Sequence, residues 1–166
     1  MADINAALAG NRDAIRDLIA AAERSGSVWT TPRAPGKWAP CQVVEHVAIT
    51  MEEAANVISG KPSRFPSFPT FVRPLLRGVF FRRILKRNAF PKAKTPKAFD
   101  PATGSANPAA ARARLETALG TFDRACRACS TGGQQVDSSI FGKVSLEDFA
   151  RFQELHVRHH CAQMPQ

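Results

Sequence analysis

Apolar residues return at helical intervals in four separate stretches of the chain. Between about Asp3 and Arg24, Ile4, Leu8, Ile15, Leu18, Ile19 and Ala22 recur at intervals of three, four or seven, so the pattern predicts one amphipathic helix. The Gly- and Pro-rich stretch "SGSVWTTPRAPGKW" ends it. Pro40 suits the first turn of a second helix, where its missing N–H costs nothing. Val43, Val47, Ala54 and Val57 form the stripe of that helix, with Met51 at its edge and Gly60 as its stop. A third helix starts from an Asn107 cap and Pro108, and Leu115, Leu119, Phe122, Cys126 and Cys129 follow at alternating steps of four and three. The fourth opens at "SLED", where Ser145 and Asp148 resemble a capping box with Asp in place of Glu. Phe149, Phe152, His156, His160 (or His159) and Gln163 continue its inward face.

No stretch alternates with period two over the length of a strand, and no internal repeat is found. Helices one and two, and three and four, are joined by connections of about fifteen residues, whereas nearly fifty separate helices two and three. This predicts an all-α chain: one domain, residues 1–166, built as a four-helix bundle with a long crossover over 61–107. Within the crossover, "TFVRPLLRGVFFRRILKRN" is read as an extra amphipathic helix from about Pro74 to Arg87, lying across the bundle. Its apolar side is assigned to Phe71, Leu75, Val79, Phe80 and Ile84, with arginines opposite. The Pro-rich "FPKAKTPKAFDPATGSANP" that follows is expected to be extended.

Composition narrows the class. A hydrophobic fraction of 44% over 166 residues excludes disorder as a description of the whole chain. The start has charges throughout and no signal-like apolar run, and arginines break "PLLRGVFFRRIL", the nearest approach to a membrane span. A cytoplasmic protein is expected, with Cys41, Cys126, Cys129 and Cys161 as reduced thiols. The net charge of +9 belongs to one segment: residues 61–97 hold eleven Lys or Arg and no Asp or Glu. A basic amphipathic helix is a membrane-surface signature, and clustered charge attracts phosphates. Against that stands the reading of the apolar side as a cover for the bundle, with the arginines as a solvated face. There is no recognised nucleic-acid motif and no tyrosine for stacking, so neither a nucleic-acid partner nor membrane insertion is expected.

The histidines carry the candidate chemistry. Three of four, His156, His159 and His160, stand in "ELHVRHHCAQ", and His46 lies in the second helix. Positions 156 and 160 are one turn apart and share a face with Gln163, while His159 falls about sixty degrees aside. His46 borders the buried stripe of its own helix. One imidazole from helix two and two from helix four would make a three-nitrogen site suited to Zn, Ni, Cu or Fe, with positions left open for water or substrate. The plain alternative is a set of histidines that favour a helix C-terminus.

"GKWAPCQVVEHVAIT" resembles the helix-two motif of the DinB/YfiT-like superfamily, with Trp38, Gln42 and His46 at its spacing. "FGKVSLEDFARFQELHVRHHCAQ" is similar to that superfamily's closing segment, a Phe-Gly, a Ser-capped helix and H-x-x-x-H. The resemblance implies an up-down-down-up bundle and a divalent metal, nickel or zinc, held by His46, His156 and His160. It implies the chemistry of metal-dependent hydrolases or of transferases that use low-molecular-weight thiols on a small-molecule substrate, and it makes a homodimer an expectation. The long basic crossover is most similar to a branch of unknown function. Some members carry an acidic residue three positions after the helix-two His; here Ile49 stands there, and Gln42, Glu45 and Gln163 are the available supporting partners. His159 or Glu45 is a candidate proton shuttle.

Other features read as packing. "CRAC", Cys126 to Cys129, continues a core stripe with no second Cys pair at ligand spacing. Cys161 points away from the His156/His160 face, and Cys41 sits in the first turn of helix two, where the helix N-terminus favours the thiolate. Trp29 and Trp38 are packing anchors, with Trp38 also a candidate pocket wall.

Overall fold

A computed structural model describes residues 4–91, 95–131 and 135–165. Asp3, the expected helix start, and Lys92 and Lys94 of the basic segment lie outside the described residues. The chain is mostly helical. Helix α1 spans Ile4–Arg24 and α2 spans Pro40–Ile58. Within the crossover, α3 (Arg73–Leu76) and α4 (Arg82–Arg87) are joined through a π-helical turn at Arg77–Phe81. Then come α5 (Pro108–Ser130), strands β1 (Gln135–Ser138) and β2 (Gly142–Ser145), and α6 (Leu146–Cys161). No helix among the described residues is long and apolar enough to cross a membrane.

The predicted signals mark the helix ends. Asn107 accepts from the backbone N–H of Ala110 at 2.9 Å, and Ser145 accepts from that of Asp148 at 3.1 Å. Pro40 is the first residue of α2, and Gly60 beyond its end has φ +66°, the left-handed conformation in which a Cβ is strained. Both α1 and α2 pack mainly between α5 and α6, so the two helices that follow each other in sequence stand opposed across the core. Leu8, Ile15, Leu18, Val44, Val47, Met51, Leu115 and Phe122 fill that core. Asn11, fully buried, ties α1 to α6 by donating to the carbonyls of Ala7 and Ala150, each at 2.9 Å.

Two expectations are corrected. A two-stranded antiparallel sheet precedes α6, pairing Gln135 with Ser145 and Ser138 with Gly142. Each strand has only four residues, too few for alternation to register as a pattern. The hairpin holds the crossover: Ser139 accepts from the Phe68 N–H through its carbonyl at 3.0 Å and donates from its hydroxyl to Pro66 O at 3.1 Å. The second correction concerns the crossover helix. Phe71, Leu75 and Val79 do not cover the core; they are 82%, 63% and 60% exposed, and Phe81 and Ile84 are the buried residues. In a regular α-helix, residues nine positions apart, as Leu75 and Ile84 are, already fall about two and a half turns apart and on opposite sides. Phe81 stacks against Phe152 of α6 and tilts against Phe141 of the hairpin, both with ring centroids 5.0 Å apart. Beyond Asn88 the described residues of the crossover are irregular apart from a 3₁₀ turn, Lys97–Phe99, which packs against α2.

Candidate metal centre

The inward phase of α2 and α6 brings His46, His156 and His160 together between the two helices. His156 Nε2 lies 3.3 Å from His46 Nε2 and 3.1 Å from His160 Nε2. One nitrogen from each ring falls within 4.8 Å of the others. His46 and His160 are buried, and His156 is partly so.

An acceptor stands at each Nδ1. His46 Nδ1–H donates to the carbonyl of Phe99 at 2.8 Å. A carbonyl can only accept, so this contact places the His46 proton on Nδ1 and a lone pair on Nε2. His160 Nδ1 meets Gln163 Oε1 at 3.2 Å, and the amide nitrogen of Gln163 donates to His159 Nε2 at 3.0 Å. His156 Nδ1 lies 3.5 Å from Thr50 Oγ1. The Thr50 hydroxyl is 3.0 Å from the carbonyls of both His46 and Val47, so its proton is committed to the helix and its lone pairs face His156.

With the proton on Nδ1 of each ring, three Nε2 lone pairs point into one space. Bare lone pairs at such separations repel, and a shared cation removes the repulsion. Two imidazole nitrogens on one tetrahedral zinc, with bonds of 2.0–2.1 Å, stand about 3.3 Å apart, which fits the spacing around His156. Protons do not fill this role at neutral pH. Burial, reinforced by His160 and His46, holds His156 well below the usual imidazole range. Burial and the neighbouring His46 push His160 down to about 3. His46 is also lowered by burial, opposed by its bond to Phe99 and by the charge of Asp100. The imidazoles are neutral, the form that binds metals.

Aromatic walls enclose the cluster. The Trp38 ring lies 4.7 Å from His46 and 6.0 Å from His160, centroid to centroid, and its indole N–H donates to Asp100 Oδ1 at 3.0 Å. Phe90, from the crossover, stands 5.4 Å from His156 and 5.9 Å from His159.

Residues 8–166 match the family described as protein of unknown function, DUF1569. The chain belongs to DUF1569. No curated protein and no solved structure matches it. Because the match runs over nearly the whole DUF1569 chain, both histidine-bearing helices lie inside it.

The DUF1569 chain brings together the three predicted histidines and leaves His159 outside the trio, tied to Gln163. Of the three expected supporting residues, only Gln163 touches an imidazole of the trio. Glu45 pairs with Arg114 of α5 at 3.2 Å instead. Gln42 accepts from the Ala39 N–H and donates to Pro101 O, both at 3.0 Å, and so clamps the crossover onto the start of α2. Among the described residues no Asp or Glu joins the cluster. Ile49, three positions after His46, supplies no acid either. Cys126 is buried in the core with its thiol pushed up to about 12 by burial, and Cys129 is raised for the same reason, as packing cysteines should be. The sequence reading missed the Phe99 carbonyl and Thr50. Thr50 stands one turn after His46 on the same face, a position that alone does not separate it from an ordinary buried helix threonine; a backbone carbonyl from an irregular crossover carries no side-chain signal.

Proposed function

We propose that this chain is a DinB-like four-helix bundle that holds one divalent transition metal through Nε2 of His46, His156 and His160. An all-imidazole donor set suits zinc, nickel, copper or iron, and the resemblance to the DinB/YfiT-like superfamily favours nickel or zinc among them. The observation that carries the reading is the convergence of three imidazole nitrogens from two helices, with a polar group beside the opposite nitrogen of each ring. When bound, such an ion supplies Lewis acidity and activates a water or a small thiol as a nucleophile. The chain's own contribution is to keep the imidazoles neutral, to orient them through Phe99, Thr50 and Gln163, and to wall the space with Trp38 and Phe90. Three protein ligands leave room for a reacting group, the arrangement of reactive rather than purely structural zinc. The reaction class this supports is metal-dependent hydrolysis or thiol transfer on a small molecule in the cytoplasm.

Metal analysis of protein purified without a histidine tag tests the site. The expected content is about one nickel or zinc per chain, lost in His46→Ala and His156→Ala. A protein that takes up neither added ion, and whose melting temperature ignores chelators, would sink the reading.

A further inference from the structure

Phe71, Leu75 and Val79 form an apolar ridge on the outer side of the crossover, all more than half exposed and spaced four residues apart. One turn further on, the same outer side becomes cationic: Arg82, Arg83 and Lys86 are exposed, and none is ion-paired among the described residues. No acidic side chain occurs anywhere in residues 61–97 to neutralise them. The opposite face is fixed: Phe81 and Ile84 are 1% and 2% exposed, and Phe81 packs on Phe141 and Phe152. The ridge is thus held in place by the rest of the fold, and its presentation to a partner costs little ordering entropy.

We propose that this ridge docks the protein on the surface of an anionic phospholipid bilayer. Phe71, Leu75 and Val79 enter the boundary between headgroups and acyl chains, while Arg82, Arg83 and Lys86 neutralise lipid phosphates beside them. The combination selects this occupant. A nucleic acid would use the cations but leave three large apolar side chains facing a phosphate backbone. A second copy of the chain would cover the apolar residues but bring two unneutralised cationic segments together. A bilayer with negative headgroups satisfies both halves of the ridge at once.

Co-sedimentation of the full chain tests the proposal, using vesicles of phosphatidylcholine alone and with about one-quarter phosphatidylglycerol. Binding is expected only to the anionic vesicles. Phe71→Ser/Leu75→Ser/Val79→Ser and Arg82→Gln/Arg83→Gln/Lys86→Gln are each expected to weaken it by about ten-fold or more. All six positions are exposed, so both variants should fold, and unchanged circular dichroism and melting temperature would verify that. Absence of binding by the wild type overturns the proposal. So does a serine variant that binds as well as wild type, since charge alone would then explain the association. A wild-type dimer that the serine variant converts to monomer, with vesicle binding unchanged, also overturns it and assigns the ridge to a second copy. Short duplex DNA that binds the wild type and the serine variant alike, with vesicles failing to compete, overturns it in favour of a nucleic acid.

Discussion

Thr50 is placed to choose which nitrogen His156 offers. Its hydroxyl lies 3.0 Å from two helix carbonyls and 3.5 Å from His156 Nδ1, so with its proton on the helix it offers the ring an acceptor that favours the Nδ1–H form. Thr50→Val keeps the shape and removes that acceptor, leaving a buried N–H with no partner or shifting the proton to Nε2, where it blocks metal binding. Zinc affinity, measured by competition with a chromophoric chelator, is expected to fall about 10–100-fold. Thr50→Ser, which restores the hydroxyl, should recover most of it. Equal affinity in Thr50→Val and wild type would show that Thr50 does not orient the ring. The histidines were readable from helical phase because a residue's face follows from its position. Thr50 lay on the same face, but a buried threonine on a helix ordinarily satisfies its own carbonyl, and that ordinary role hid the second one.

At the scale of elements, the crossover completes the site rather than merely linking helices. It supplies the Phe99 carbonyl to His46, the Asp100 carboxylate to Trp38, and the Phe90 ring beside His156. Its return path lies close against α2: a Cβ on residue 104 would collide with the Cys41 carbonyl, so Gly104 is the residue that fits there. Backbone cannot give way as a flexible side chain can, so Gly104→Ala must push the crossover outward. Nearby, Trp29 donates to Ser105 O at 2.7 Å and Gln42 to Pro101 O at 3.0 Å, and both bonds would be strained. Thermal unfolding of Gly104→Ala is expected to show a loss of about 1–3 kcal/mol, together with weaker zinc binding as the Phe99 carbonyl moves. Wild-type values for both would mean that the crossover is not anchored there. The main helices and their caps were legible because period and cap chemistry are local. The crossover's contacts were not, because an irregular chain is placed by hydrogen bonds to distant partners. The apolar side of its helix was misassigned by grouping hydrophobic residues without following the rotation from Leu75 to Ile84.

For the whole molecule, the cluster is an acid-sensitive seam between α2 and α6. Folding keeps His46, His156 and His160 neutral by burying them, whereas in the unfolded chain each titrates near its ordinary value of 6.5. As pH falls below 6.5, the unfolded state takes up protons that the folded state refuses. The stability of the metal-free protein must then decline, and for His160 the decline continues until pH approaches about 3. A single fully buried imidazole gives a slope of about 1.4 kcal/mol per pH unit in that window. A bound ion adds stability by mass action and raises the whole curve, because it binds the folded cluster far better than separated histidines. Urea unfolding of metal-free protein between about pH 7.5 and pH 5 is therefore expected to show steadily falling stability. The variant His46→Gln/His156→Gln/His160→Gln, which packs amides in place of imidazoles, should lose less over the same range. Parallel declines in the two proteins would place the acid sensitivity elsewhere and remove the case for three neutral, buried imidazoles poised for a cation.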